Sequence, residues 1–384
     1  MNKRVYLDNA ATTPVAPEVV EAMVRCFEQE YGNASSLHAL GRQARKAVEE
    51  SRGEIADTLG VAPKEIVFTA GATEANNLAI KGLAFAHPEK RHLITCKMEH
   101  HAILHTCQWL EERGSEITYL DVDQFGRVSP DQLIEAIRDD TLLVSIMAGN
   151  NEIGTLQPIE QIGTICRERG VFFHTDAVQA YGKVPLPMDT IDLLSVSAHK
   201  LHGPKGVGFL VVRKGVSLTP LLHGGGHEGG RRSTTENTPG IVGLAAAARL
   251  AFREMQSTTT RMRQYRQQLI ASATNISGTQ LNGHETESLP HIVNVSFQAI
   301  EGESLLMKLD ELGFAVSTGS ACSSPNLEPS HVLVAIAVPL SMAHGSLRIS
   351  TGRQTTQEEI DAFLEVLPSA VEQLRAISPF EVDA

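Results

Sequence analysis

An α/β fold built on a mostly parallel sheet is predicted by three features of this sequence. Short apolar runs alternate with helical segments from residue 16 to about 213. Several runs, such as "EIVFTAG", read as strands buried on both faces, which is how parallel strands covered by crossover helices look. Polar residues gather just after these runs, at strand carboxyl ends, where sheets of this kind bind ligands.

The elements follow in order. "PEVVEAMVRCFEQEY" and the stretch from Leu37 to Leu59 have helical periodicity, and "EIVFTAG" is a strand that runs into the helix "ATEANNLAIKGLAF". "HLITCK" is followed by a helix over 100–113, "EITYLDV" by one over 130–138 and "LLVSIMA" by one over 158–169. "VFFHTDA", "LLSVSAHK" and "GVGFLVVRK" then complete the strand series. After "HGGGHEGGRRSTTENTPG" a long connector helix runs from about Ile241 past Ile270. Beyond it, "HIVNVSF", a helix over 301–312, "FAVST", a helix over 328–337, "SLRIST" and a terminal helix from about Gln357 form a smaller α+β unit.

The bulk numbers bound the function. At 384 residues the chain suits two domains, or one large domain with a small companion. A hydrophobic content of 42% and a charged content of 20% are those of a globular protein rather than a disordered or membrane one. Asp8 and Asn9 precede any apolar run and Arg249 interrupts the longest one, so a secretory signal and a membrane span are not expected, and a cytoplasmic location is. A net charge of −12 argues against direct nucleic-acid binding, which needs clustered Lys and Arg. The five cysteines (Cys26, Cys96, Cys107, Cys166, Cys322) are an odd set without a CxxC pair, which fits neither a disulfide framework nor a structural zinc site.

The strand ends carry the candidate chemistry. Gly71, Ala72 and Thr73 open a helix after a strand and so offer free N–H groups and a positive dipole end to an anion such as phosphate. There is neither a GxxxxGK[ST] loop nor a GxGxxG fingerprint, so a nucleotide is disfavoured. Asp176 follows an apolar strand, where an ionised carboxylate is costly unless paired. "SAHKLHGPKG" places Lys200 beside His199 and Ser197 at another strand end. Taken singly, each is explained as surface charge or a glycine turn. Together they match what pyridoxal 5′-phosphate requires: an amine for a Schiff base, a carboxylate for the pyridinium nitrogen and a phosphate anchor. "STGSACSSPN" sets Cys322 among small polar residues with no apolar pocket, so reactivity rather than packing must be considered for it. His101 and His105, one helical turn apart, lack a third ligand or an HExxH pattern, so no metal site is expected.

Over nearly its whole length the chain resembles the pyridoxal-phosphate-dependent cysteine desulfurases of the NifS/IscS type, group I of the class V aminotransferases. The matching blocks are "YLDNAATTPV", "GNASSLHALG", "EIVFTAGATEANNLAIKG", "MEHHAIL", "NNEIGTLQPI", "HTDAVQ", "SAHKLHGPKG", "HGGGHEGGRRS", "GSACSS" and "RISTGR". The resemblance implies the fold type I transferase architecture, with a mostly parallel seven-stranded sheet in a large domain over 14–255. A small α+β domain would comprise 1–13 and 256–384 and carry the Cys322 loop. It also implies a homodimer, conversion of L-cysteine to L-alanine, and sulfur held as a Cys322 persulfide for acceptors such as an iron–sulfur scaffold.

Carried over position by position, the resemblance makes Lys200 the Schiff-base lysine and Asp176 the partner of the ring nitrogen. Gln179 would donate to the ring phenolate and His100 would stack on the ring and move protons at sulfur. Ala72, Thr73, Ser197 and His199 would hold the phosphate, with Thr235 reaching it from the neighbouring subunit. Asn151 and Arg348 would take the substrate carboxylate, Asn151 also touching the cofactor. Lys205 would lie on the glycine turn beyond the site. The segment 319–328 is expected to be mobile, because Gly319 and the serines give it little to pack against.

Some positions depart from the family pattern. Gly229 stands where an arginine is common, Thr234 replaces a glycine before Thr235, Ala34 replaces a proline, and the tail ends "SPFEVDA" where many members continue to a scaffold-docking segment. Two other functions are compatible with the fold. An aminotransferase or a selenocysteine or sulfinate lyase would need Lys200 but not Cys322. A non-catalytic relay protein would need none of the strand-end set.

Overall fold

A computed structural model describes residues 4–318, 329–380 and 382. Through the first part of the chain the elements are β1 (Val5–Tyr6), α1 (Pro17–Gln29), α2 (Ala39–Leu59), β2 (Ile66–Thr69), α3 (Ala72–Ala86), β3 (His92–Cys96), α4 (His101–Glu111) and β4 (Glu116–Leu120). There follow α5 (Pro130–Ala136), β5 (Thr141–Ser145), α6 (Ile159–Glu168), β6 (Phe172–Asp176), β7 (Leu193–Ser197) and β8 (Gly208–Val212). Then come α7 (Thr238–Thr274), β9 (Thr279–Asn282), β10 (Ile292–Phe297), α8 (Gly302–Glu311), β11 (Phe314–Ala315), α9 (His331–Ala335), α10 (Leu340–Ala343), β12 (Ser346–Ser350) and α11 (Gln357–Arg375).

Seven strands form one sheet in the order β2-β8-β7-β6-β5-β3-β4. Only β8 is antiparallel to its neighbours, so the sheet is mostly parallel as expected. Side chains alternate between its faces. Ile66, Phe68, Phe173, Val196 and Phe209 pack in one core with α1, α2, α6 and the first half of α7, while Val67, Leu93, Leu143, Leu193 and Leu210 pack in another with α3 and α4. With both faces committed to apolar contact, the polar side chains inside the strands are bonded to one another, as His174 is to Ser145 and Ser195, and those free to meet a ligand stand at the strand ends.

A third core lies around the antiparallel sheet β12-β10-β9 and joins Leu7, Val293, Leu305, Phe314 and Phe363. The connector helix α7 spans the first and third cores. Ile241, Leu244 and Leu250 are in one, and Tyr265, Leu269 and Ala273 are in the other. Its start is set by the Asn237 side chain, which accepts from Gly240 N at 3.2 Å, and by Pro239 in the first turn. Two elements differ from the sequence reading. β9 was not expected, since "TQLN" has a single apolar residue, and it forms because β10 pairs with it. The helix expected over 328–337 is only His331–Ala335, started by the Ser330 side chain, which accepts from Val332 N at 3.1 Å.

The glycine-rich segment before α7 is anchored by a buried ion pair. Arg52 Nη1 and Nη2 donate to Glu228 at 2.7 and 2.9 Å, and the guanidinium lies 4.6 Å from the Phe68 ring centre. Gly229 next to it has φ of 64°, a conformation that disfavours the arginine common in the family, so this departure suits the local backbone. Removing one member of a buried pair strands the other charge. The variant Glu228→Ala should therefore lower unfolding stability by roughly 3 kcal/mol, measured as a fall in the urea midpoint at unchanged slope.

Candidate active site

A cavity of about 800 Å³ opens over the carboxyl ends of the strands. Around it stand the ends of β2 (Gly71, Ala72, Thr73), β3 (His100), β5 (Asn151), β6 (Asp176, Gln179) and β7 (Ser197, His199, Lys200), with Arg348 from β12. Every one of these candidates except glycine was expected to bind or catalyse, and the fold brings them to one wall. Lys205 borders the cavity too, exposed on the turn before β8, which corrects the expectation that it lies beyond the site. Thr235 is exposed and does not border the cavity of its own chain. Cys322 and the 319–328 segment lie outside the described residues.

The anion end is built from α3 and β7. Gly71 caps α3 with φ of 151° and supplies no side-chain acceptor, so the first-turn N–H groups face outward beside the Ser197 hydroxyl. A side chain at Gly208 would drive into the Val196 carbonyl and come within 2.9 Å of Gly71 Cα, so β8 must carry glycine there for the turn to sit where it does. His199 Nδ1 lies 3.1 Å from the Thr12 hydroxyl. Burial and then the Lys200 charge pull the imidazole down to about 4, so it is neutral at pH 7 and acts as a hydrogen-bonding group rather than a charge.

At the other end Asp176 is buried at 7% exposure, its oxygens accepting from Asn76 Nδ2 at 2.7 Å and Val178 N at 3.0 Å. Among the described residues no Lys or Arg pairs with it, which leaves this carboxyl open to the ring nitrogen of a ligand in the cavity. His100 caps α4, its Nδ1 accepting from Ala102 N at 3.1 Å, which leaves Nε2 to carry the ring proton. Burial holds His100 below the usual imidazole value although Asp176 opposes this. Gln179 Nε2 donates to Ala10 O at 2.9 Å, and its Oε1 accepts from His291 Nε2 at 3.1 Å. Lys200 Nζ donates to Ala10 O at 2.7 Å and Ala11 O at 2.6 Å.

An anion cradle, a lysine amine, an imidazole and an uncompensated carboxylate within one cavity form the set of donors and acceptors that pyridoxal phosphate requires. The residues present therefore fit the group.

Several contributors were not singled out in the sequence. Lys183 Nζ donates to the Lys200 carbonyl at 3.0 Å, and burial with the Lys200 charge pulls it down to about 7. Glu99 is buried beneath the site, its Oε1 accepting from Met147 N at 2.6 Å, and burial pushes it up to about 8. The run Asp8–Thr13 crosses the site and touches Arg348, Lys200, Gln179 and His199. Its sequence signal was the block "YLDNAATTPV" that it shares with the family, from which no role for its individual residues was drawn. His101 lies 5.0 Å from the exposed His105 and 4.7 Å from His331, ring to ring, and no group able to hold a metal ion occurs among the described residues.

Known proteins bear on this geometry. The chain matches the Aminotransferase class-V family over residues 5–363. It is 54% identical to a protein named cysteine desulfurase IscS from Methanosarcina thermophila, covering 98% of this chain and 94% of that one. It is 51% identical to another of the same name from Dictyoglomus turgidum, covering 99% and 98%. Among solved structures, a NifS-like protein superposes with a TM-score of 0.92 at 40% identity, covering 97% of this chain and all of that one. A structure of SspA in complex with cysteine superposes with a TM-score of 0.81 at 40% identity over 92% of this chain and all of that one. With full-length identity above half and a site that fits the cofactor, the chain belongs to the class V aminotransferases and, within them, to the pyridoxal-phosphate-dependent cysteine desulfurases.

Proposed function

We propose that this chain takes sulfur from L-cysteine, releases L-alanine and holds the sulfur as a persulfide on Cys322 for transfer to an acceptor. The observation that carries the reading is the convergence of Lys200, His100, Asp176, Asn151 and Arg348 on one cavity. Ala72, Thr73, Ser197 and His199 would hold the cofactor phosphate, Asp176 its ring nitrogen and Gln179 its phenolate oxygen. When bound, the cofactor supplies an electron sink for the substrate α-carbon. Lys200 would hold the cofactor through its amine and would take the substrate α-proton on Nζ. Asn151 and Arg348 would bind the substrate carboxylate, and His100 Nε2 would exchange a proton with the substrate sulfur.

The sulfur step needs a thiolate. Its Sγ forms a bond to the substrate sulfur as the substrate Cβ–S bond breaks, and the carbon remainder gains protons to become alanine. Burial pushes the thiols of Cys26, Cys107 and Cys166 up to about 12 and that of Cys96 well above its usual value, which disables all four as nucleophiles. Cys322 is the remaining thiol. Ser317 exchanges backbone hydrogen bonds with Arg348 at 2.7 and 3.1 Å, and His331 Nε2 donates to Glu99 O at 2.9 Å, so both described flanks of the Cys322 segment lie at the site.

The same reading includes a homodimer, for which the exposure of Thr235 away from its own cavity leaves that residue free to serve a partner's phosphate site. It also includes an acceptor such as an iron–sulfur scaffold and a cytoplasmic location, which the free thiols among the described residues suit. No helix among the described residues is long and apolar enough to cross a membrane.

Purified protein should show a visible cofactor absorption that borohydride bleaches, and Lys200→Ala should lack it. Cys322→Ser should keep the absorption yet lose sulfide release from L-cysteine, and mass spectrometry should find one added sulfur on Cys322 after exposure to L-cysteine. Wild-type turnover by the serine variant would exclude the persulfide route. Gly208→Ala should push the Gly71 turn and weaken cofactor retention, read as loss of the absorption on dialysis, for a stability cost of about 1–3 kcal/mol.

A further inference from the structure

Arg348 is 2% exposed and borders the cavity, yet it is held from outside the sheet that carries the rest of the site. Its Nη2 donates to Asp8 Oδ1 at 2.9 Å and its Nη1 to Asn151 O at 3.0 Å, while Nε is buried and faces no acceptor. Asp8 cannot drift from this contact. Its carbonyl accepts from Tyr6 Oη at 3.1 Å, and the next two residues are tied to β12 itself: Asn9 Nδ2 donates to Ser350 O at 2.9 Å and Ala10 N to Ser350 Oγ at 2.9 Å. The carboxylate and the guanidinium are therefore fixed to the same strand, two residues apart on it.

We propose that Asp8 is a positioning residue for the desulfurase reaction: its carboxylate orients the Arg348 guanidinium and, by meeting part of its charge, tempers the grip on substrate and product carboxylates. The inference rests on the reading of Arg348 as the substrate-carboxylate group. A buried guanidinium without a counter-charge is costly, and one with its whole charge unmet binds any small carboxylate tightly, reactant and product alike. Such uniform tightening lowers KM without helping the chemical step. With Asp8 in place, each terminal nitrogen keeps one N–H that neither Asp8 nor the Asn151 carbonyl takes, and these can still serve a second carboxylate, but against a smaller net charge.

The test uses the holoenzyme and L-alanine, which carries the product carboxylate and no sulfur. Asp8→Asn keeps an acceptor oxygen and removes the charge. Its dissociation constant for L-alanine, measured by calorimetry, should fall on the order of tenfold, with a lower KM for L-cysteine and no gain in kcat. Asp8→Glu, which restores the charge, should return the constant toward wild type. Unchanged or weaker L-alanine binding in Asp8→Asn overturns the proposal. Arg348→Gln separates the two readings: if it leaves L-alanine binding intact, Arg348 is not the carboxylate group and both fall, whereas lost binding there with no tightening in Asp8→Asn sinks the role of Asp8 alone. Should Asp8→Asn not fold, Asp8→Ser also removes the charge and is read the same way.

Discussion

The arrangement of this site depends on one short run of backbone, from Asp8 to Thr13, laid across the carboxyl ends of the strands. Its carbonyls at Ala10 and Ala11 accept from Lys200, and that of Ala10 accepts from Gln179 as well. Thr13 N donates to the His199 carbonyl, and its hydroxyl does the same at 2.9 Å. On the other side the run is bonded to Ser350 and, through Asp8, to Arg348. Strand ends β6 and β7 and strand β12 are thus joined by a segment that belongs by sequence to neither. A lysine amine that donates to two carbonyls is held in place while remaining a mobile, exchangeable donor, which suits a group that must change partners during a reaction cycle.

The electrostatics follow from burial on both faces of the sheet. Polar groups at the strand ends are desolvated enough to lose charge where charge is not matched. His199 and His100 are held below the usual imidazole value and Glu99 well above the usual carboxyl one. Asp176 accepts instead from an amide and a backbone N–H. The cavity therefore presents neutral imidazoles on its walls, the Asp176 carboxyl beside a second one, Glu74, that is already paired with Arg232, and lysines and an arginine for anions. That distribution matches a ligand with a basic ring nitrogen at one end and a phosphate at the other.

Much of this was legible in the sequence because strand ends are local signals. An apolar run followed by a polar residue marks the place where the wall of the cavity stands, and Asp176, Ser197 and Lys200 were found that way. What escaped depended on distance along the chain. Asp8 is 340 residues from Arg348, His291 is 112 from Gln179, and Lys183 meets Lys200 only because both lie near the end of β7. No periodicity or spacing encodes such pairs. β9 escaped for the related reason that its strand character is conferred by its neighbour β10 rather than by its own residues.

Residues 330 and 331 are bonded to the loops that follow β5 and β3. Ser330 Oγ donates to Glu152 Oε2 at 2.5 Å, and His331 donates to the carbonyl of Glu99. Burial pushes Glu152 up to about 7 although the Ser330 hydrogen bond and Arg348 oppose this, so near neutral pH it is divided between charged and neutral forms, while Glu99, pushed up to about 8, is mostly neutral. The Glu152 carboxyl holds Ser330 to the loop after β5 and the Glu99 backbone carbonyl holds His331 to the loop after β3, while Ser317 is paired through its backbone with Arg348 on β12.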